Sequence, residues 1–364
     1  MKCRILYLVG QLGPGGLERQ LYLLLRTLDR ERYRPEVVVW KFREADTYVS
    51  HLRNLGIPLH GFSKPMSAPA KLIALRRLIV RKQPEIIHSQ SFYTNVAAWW
   101  GTLGTKSVAV GAMRSNFTED KKTNGFLLGG LNARLPETQI YNNFAAAKEA
   151  RRRKGPFAPR KIFIIHNGLD LREFRKLPLP ANGKIRILGM GSLVPYKRWD
   201  RLLAAASRLK ERGVDFVVEI AGAGPMRDSL RHDARDLDVS DRIRLLGHID
   251  DVRCALERCT FLAHTSDVEG CPNVIMEAMA CGRAVVATDA GDSPALVDDG
   301  KTGFTVARGD EVALADRIAT LVAHPELCRR MGEAGGEKAV REFGLNRLVE
   351  ETIAVYGAAG WRSA

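Results

Sequence analysis

The chain has 364 residues, 45% hydrophobic and 27% charged, which excludes long disordered spans and is more than one hydrophobic core usually serves. Its net charge of +15 is unevenly placed: residues 1–165 carry 28 Lys+Arg against 11 Asp+Glu, a net of +17, and the remainder stands at −2. The six cysteines include no C-x-x-C pair, which argues against a disulfide framework or a zinc set and fits a reducing compartment, and no run of about 18 apolar residues offers a membrane span.

The run RILYLV at 4–9 reads as a buried first strand, being too short for a signal-peptide core. Further strands are expected at 35–40, 85–88, 107–112, 139–142 and 161–165, with amphipathic helices at 16–28, 45–55, 69–82, 93–103 and 143–153. The stretch 114–131 reads as a loop that mixes cations with Phe126, Leu127 and Leu128. REFRKLPLPANG at 172–183, with two prolines and a glycine, reads as a linker. The alternation then restarts: strands at 184–191, 214–222, 242–247, 261–266, 283–288 and 304–306, helices at 198–212, 225–236, 250–258 and 273–281, and a helical tail at 309–358. Strands alternating with helices imply parallel sheets covered on both faces. Two such runs about a proline-rich joint imply two doubly wound domains, 1–172 and 184–344. Ligands of such sheets bind beyond the carboxyl ends of the strands, so a cleft between the domains is the expected site.

Three loops that follow strand ends carry candidate chemistry. In QLGPGGLERQ, Gly15 and Gly16 stand between a strand and a helix; they serve either a tight turn or the approach of backbone amides to an anion. The sequence matches neither the P-loop nor a strict G-x-G-x-x-G. In GSLVPYKRWD, Lys197 and Arg198 precede an amphipathic helix, either as a solvated first turn or as cations for a diphosphate. In EGCPNVIMEAMACG, Pro272 opens a helix and Gly282 closes it. Asn273 and Val274 stand at its positive end. Glu269 lies before that helix and Glu277 inside its apolar run, where an unpaired carboxylate costs several kcal/mol. Glu277 therefore needs donors, either a structural cation or the hydroxyls of a ligand. Anion binders and carboxylates around one site suit a sugar nucleotide.

E-G-x-P-N-V-x-x-E-A-M-A followed by G-x-A-V-V-A-T resembles the signature of the retaining glycosyltransferases of family 4. GPGGLER near the start, HNGLD at 166–170, the strand–loop–Lys of 184–197 and SPALVDDGKTGFTV at 293–306 match in order. The resemblance implies the GT-B fold, two Rossmann-like domains facing a central cleft, with residues 345–364 forming a C-terminal helix that crosses back to the first domain. It implies that Glu269 contacts donor-sugar hydroxyls, that Glu277 binds the ribose, and that the amides around Pro272, Asn273 and Val274 hold the sugar and distal phosphate. Lys197 would bind the diphosphate, Gly15 and Gly16 would approach it from the first domain, and Gly247 and His248 would seat the base. Two positions depart from the family pattern. Ser192 stands where many members have an arginine, which Arg198 would replace. Arg114 stands where many have a histidine; it cannot act as a base at pH 7 and would instead stabilise an anionic acceptor or phosphate.

The implied reaction is transfer of a sugar, with retention, from a nucleotide sugar (UDP favoured, GDP the alternative) to a hydroxyl of a glycan or lipid-linked acceptor in cell-surface polysaccharide or glycolipid synthesis. No D-x-D motif is evident, so neither a divalent metal nor another cofactor is expected. His88 and Asn95 face an acceptor or are satisfied structural groups. The loop 114–131 and RRRK at 151–154 either rest on an anionic membrane or pack on their own domain. The expected location is cytoplasmic, at the inner membrane face where such contact occurs. The rival readings are a nucleic-acid binder using the basic half, though its cations are dispersed and no RNA-module motif appears, a sugar-nucleotide epimerase, a phosphorylase without its cofactor lysine, and an oxidoreductase without the dinucleotide fingerprint.

Overall fold

The computed structural model describes residues 2–62, 66–180 and 184–362. In chain order the first unit holds β1 (Cys3–Val9), α1 (Gly16–Thr27), β2 (Tyr33–Val39), α2 (Thr47–Asn54), β3 (Leu59–Gly61), α3 (Ala68–Lys82), β4 (Ile86–Ser89), α4 (Asn95–Thr102), β5 (Val108–Met113), α5 (Phe117–Thr123), α6 (Phe126–Arg134), β6 (Thr138–Tyr141), α7 (Phe144–Arg152) and β7 (Lys161–Ile164). The second holds β8 (Ile185–Met190), α8 (Trp199–Glu211), β9 (Phe216–Ala221), α9 (Arg227–Asp236), β10 (Ile243–Gly247), α10 (Val252–Arg258), β11 (Phe261–His264), α11 (Asn273–Ala280), β12 (Ala284–Thr288), α12 (Ser293–Leu296), β13 (Gly303–Val306), α13 (Glu311–Ala323) and α14 (Pro325–Glu342). The last helix, α15 (Leu345–Ala358), belongs to the first unit, which comprises Met1–Gly168 and Leu345–Ala364; the second is Leu169–Gly344.

The first sheet runs β3-β2-β1-β4-β5-β6-β7 and the second β10-β9-β8-β11-β12-β13, and every paired strand is parallel. Each order reverses once, between β1 and β4 and between β8 and β11. The central strands are apolar without alternation because helices cover both faces: Tyr7, Leu8 and Val9 in β1 and all of β11 and β12 are buried. In the first unit, α15 packs against α1 and buries Leu348, Val355 and Tyr356 in the same core as Leu21 and Leu24.

Several expectations needed correction. The stretch 114–131 is not a loop. Asn116 caps α5 by accepting from the Glu119 amide, and Gly125, at φ +76°, turns the chain into α6. The tail is three helices, broken at His324 and at Phe343–Gly344. The segment read as a linker packs on the second unit. Phe174 is buried in its core, and Arg283, 0% exposed, donates from Nη1 to the Leu177 carbonyl (3.1 Å) and from Nη2 to that of Pro178 (2.8 Å). The same guanidinium reaches Leu256 and Glu257 carbonyls at 2.8 and 3.2 Å. Residues 181–183 of that segment lie outside the described residues.

Arg283 thus satisfies four carbonyls from a fully buried position. Arg283→Met keeps much of the volume and strands them, so it should destabilise the second unit by about 3 kcal/mol or more. Urea unfolding followed by tryptophan fluorescence and circular dichroism should show an earlier transition for the variant; an unchanged profile would refute this anchoring role.

Candidate active site

In the second unit the reversal of strand order lies between β8 and β11, and open parallel sheets bind ligands beyond the carboxyl ends of strands at such a point. The loops that leave these two strands carry the sequence-predicted residues. After β8 the chain makes a short 3-10 turn at Pro195–Lys197, and Arg198 takes a left-handed conformation, φ +50°, to enter α8. The Thr265 hydroxyl, just past β11, donates to the Lys197 carbonyl at 2.9 Å and ties the two loops together. Lys197 Nζ donates to Glu269 Oε1 at 2.5 Å, and His264 Nε2, at the end of β11, lies 2.9 Å from the same oxygen.

All three side chains are largely buried, 15% exposed for Lys197, 11% for Glu269 and 1% for His264. Burial alone would push the Glu269 carboxyl up, but His264 and Lys197 together hold it well below the usual carboxylate range. The third support comes from the turn after β12. Gly291 has φ +54°, and a Cβ there would stand 2.4 Å from the Glu269 carbonyl oxygen, so only glycine lets this turn lie against the Glu269–Gly270 backbone. The Asp292 amide donates to the Gly270 carbonyl at 3.0 Å.

Pro272 caps α11, where its missing N–H leaves nothing unsatisfied. Asn273 and Val274 form the first turn, at the positive end of the helix dipole. From Ile275 to Ala280 the helix is buried, and Glu277 lies within that stretch, 1% exposed. Lys197, Glu269, His264 and the start of α11 therefore come together at one end of the second sheet, combining a buried cation, a buried carboxylate and a helix N-terminus.

Other predicted residues are placed differently. Arg198 turns onto carboxylates of its own unit: Nε and Nη2 donate to Asp200 at 3.0 and 2.8 Å, and Nη1 to Asp267 at 3.1 Å. Arg201 shares Asp267 at 2.6 Å. Gly247 ends β10 at φ +75° and accepts from the Gly222 amide at 2.7 Å, and His248 is exposed, 3.5 Å from Asp250. In the first unit Gly15 is the N-cap of α1 and Gly16 its first residue. Arg114 follows β5 and donates to Gln90 Oε1 at 2.9 Å. His88 is 0% exposed; its Nδ1 lies 2.8 Å from the Tyr356 hydroxyl, which donates to Tyr7 at 3.2 Å. Burial and then Arg114 hold His88 well below its ordinary pKa. Asn95 is a bracket, not an acceptor contact: its amide donates to the carbonyls of Ala112 and Asn132 and its Oδ1 accepts from the Ala112 amide.

His264 is the residue that sequence reasoning missed. The available signal was a histidine closing an apolar strand five residues before Glu269.

The family model described as Glycosyltransferase Family 4 matches residues 14–173, and that described as Glycosyl transferases group 1 matches residues 171–338. The chain is 34% identical over 175 residues to the lipopolysaccharide core biosynthesis glycosyltransferase LpsE of Rhizobium meliloti, covering 48% of this chain and 50% of that one. It is 26% identical over 358 residues to the D-inositol 3-phosphate glycosyltransferase of Salinispora tropica, covering 85% and 72%. Against the first of its curated relatives the matched region spans about half of their length. Among solved structures, Anabaena HepE in complex with UDP superposes with a TM-score of 0.84 at 20% identity over 98% of this chain and 100% of that one. Sucrose-phosphate synthase from Thermosynechococcus elongatus follows the same fold with a TM-score of 0.80 at 18% identity, covering 98% and 99%.

The cluster makes an acid-sensitive contribution to stability. A carboxyl held low in the fold stabilises fully above its unfolded value of about 4.3, and that contribution disappears as pH falls through the lower folded value. Glu269→Gln should therefore be less stable than the parent at pH 7, because Lys197 is left buried without its counter-charge, and the gap should narrow below about pH 4. Denaturation curves from pH 3 to 8 test this; a gap that stays constant with pH would contradict the assignment.

Proposed function

The chain belongs to the glycosyltransferases of family 4 and has their GT-B fold, and from that premise we propose that it transfers a sugar, with retention, from a nucleotide sugar to a hydroxyl acceptor. The observation that carries the reading is the junction of β8 and β11, where Lys197 and Glu269 meet ahead of the α11 N-terminus and Glu277 follows about one turn into that helix. In this reading the diphosphate takes Lys197 and the first-turn amides of α11 around Pro272, Asn273 and Val274. Glu269, released by Lys197 and still beside His264, accepts hydroxyls of the donor sugar, and Glu277 accepts those of the ribose. Gly247 and His248 border the base. Gly15 and Gly16 are the phosphate-facing backbone of the first unit, and Arg114 is its cation for an acceptor or phosphate. Arg198, balanced by Asp200 and Asp267, positions the Lys197 turn.

The acceptor oxygen attacks the anomeric carbon on the face from which the diphosphate departs. The bond from that carbon to the phosphate oxygen breaks, and the hydroxyl proton passes to the leaving phosphate. The protein stabilises the charge gathering on that phosphate, the electrostatic preorganisation that supplies much of enzymatic rate enhancement. UDP is the preferred donor nucleotide, a choice supported by the UDP held in the HepE complex. A lipid-linked or glycan acceptor in cell-surface polysaccharide or glycolipid synthesis is supported by the likeness to LpsE, a glycosyltransferase of lipopolysaccharide core biosynthesis. No helix of the described residues is long and apolar enough to cross a membrane, and the basic first unit is proposed to meet an anionic membrane surface.

Thermal shifts against UDP, GDP, ADP and their sugars test the donor. A ligand at 100 times its Kd adds about 2.7 kcal/mol, so the right nucleotide should stand out. Glu277→Ala should abolish that shift. Glu269→Ala should retain most of it and lower kcat by about 100-fold. Turnover should persist in EDTA. Intact nucleotide affinity and transfer in Glu277→Ala would remove the ribose role, and a shift with GDP alone would replace the donor.

A further inference from the structure

Among the described residues of the first unit, the start of α6 presents a surface that neither the core nor the candidate site explains. α6 begins with Phe126, Leu127 and Leu128, which are 81%, 63% and 49% exposed. These three consecutive large apolar side chains form a patch, whereas isolated apolar residues on a surface need no explanation. They stay outside because the inward face of α6 is made of small residues packed too closely for them. Gly129 lies against the Lys121 carbonyl and Gly130 against the Phe157 ring, and Asn132 and Ala133 are buried. Phe157 meets Phe126 edge-on at 5.8 Å, so the loop after α7 underpins the patch.

Cations lie on the segments that adjoin it. Lys121 and Lys122 lie in the last turn of α5, four or five residues before Phe126, and the exposed residues 151–154, RRRK, run from the last turn of α7 into the loop beyond it. Arg153 donates to the Thr118 hydroxyl at 3.0 Å and joins the end of α7 to α5. Residues 114–131 and 151–154 hold seven Lys/Arg against two Asp/Glu, and Lys122 stands 3.6 Å from one of these, Glu119. An apolar tip in a basic collar matches the interface of an anionic bilayer, where side chains enter the headgroup boundary and cations meet lipid phosphates. Nucleic acid would match the charge but not three exposed aliphatic and phenyl groups, and a second copy of this surface would match the apolar groups but meet the cations with like charge.

We propose that α6 is a membrane-docking element: Phe126, Leu127 and Leu128 insert into the outer layer of an anionic bilayer while Lys121, Lys122 and the 151–154 segment hold its phosphates. This rests on, and deepens, the reading of a lipid-linked acceptor. The segment begins at Arg114, directly after β5, so docking and the proposed acceptor cation lie on one continuous stretch of chain.

The test is cosedimentation of the full chain with phosphatidylcholine vesicles with or without about one third phosphatidylglycerol, at low and high salt. The parent should partition to the anionic vesicles and release in salt. Phe126→Ser/Leu127→Ser/Leu128→Ser should keep its melting profile and UDP-induced thermal shift and lose at least about tenfold in partition. Arg151→Gln/Arg152→Gln/Lys154→Gln should lose most of the salt dependence. Full partition of the serine variant overturns the proposal. So does equal binding to neutral vesicles, a dimer in sedimentation velocity that the serine variant abolishes, or a preference for RNA over vesicles. Vesicle binding without any nucleotide shift leaves this surface standing and removes the donor reading; a nucleotide shift without vesicle binding does the reverse.

Discussion

The second unit is organised around a carboxylate that would not be tolerated alone. Glu269 sits 11% exposed at the end of a parallel sheet, and an isolated charge in such a place carries a desolvation penalty of several kcal/mol. Two groups offset it: Lys197, delivered by the turn after β8, and His264, delivered by β11 itself. The turn after β12, closed by Gly291, holds the Glu269 backbone from a third direction. Segments from three adjacent strands thus converge on one residue. Because the Lys197–Glu269 pair is already satisfied within the unit, an incoming ligand has to offer Lys197 something better than a single carboxylate. A diphosphate, with more charge and more acceptor oxygens, does so, and a neutral ligand does not. His264 then remains beside Glu269, so the carboxylate is not left without a neighbour.

This arrangement explains which parts were legible in the sequence. The alternation of apolar runs with amphipathic stretches located the paired strands to within a residue or two because buried parallel strands are apolar throughout. Their clarity failed only at β3, a three-residue edge strand of intermediate burial. Glu277 was legible as a buried charge from its apolar neighbours alone. His264 was not, because a histidine at a strand end has the same local appearance whether it faces a carboxylate or a carbonyl. Its meaning depends on where the loop after β11 folds back. The partners of Arg198 were not legible for a related reason: adjacency to Lys197 suggested a shared ligand, and the left-handed residue at that position sends the two side chains to different carboxylates within the unit. The stretch 114–131 read as a loop because its polar, glycine-bearing sequence lacks a long apolar stripe. Two short helices arise there from local capping and from glycine packing, which periodicity does not register.

The reversal in the first sheet, between β1 and β4, is built on different physics. There the buried groups are neutral. His88 and the hydroxyls of Tyr356 and Tyr7 form a chain of hydrogen bonds, and burial with Arg114 nearby keeps the imidazole uncharged. Such a network fixes geometry without a charge to be released. One sheet end therefore holds a buried ion pair, the group that the proposed function exchanges for a ligand, and the other holds a strand and a helix in register. That division fits a chain in which the second unit grips the donor and the first carries acceptor contacts on the stretch from Arg114 onward.

The same network bears on how the chain assembles. Tyr356 comes from α15, and Leu348 and Val355 of that helix complete a core that begins with Ile5 and Tyr7. The second unit, Leu169–Gly344, is continuous in sequence and can form its sheet from contacts within its own span. The first unit is not, since its core is left open on the α1 face until residues 345–358 arrive, 349 positions from Tyr7 in the case of Tyr356. Contacts of that sequence separation form late because loop-closure entropy must be met first. A folded second unit shortens that loop by holding Leu169 and Gly344 together as bridged neighbours, with the Leu169 amide donating to the Phe343 carbonyl at 2.7 Å. The second unit thus also acts as the clasp that brings the last helix within reach of the first strand, so a failure to fold between residues 169 and 344 delays the closing of a core that contains none of them.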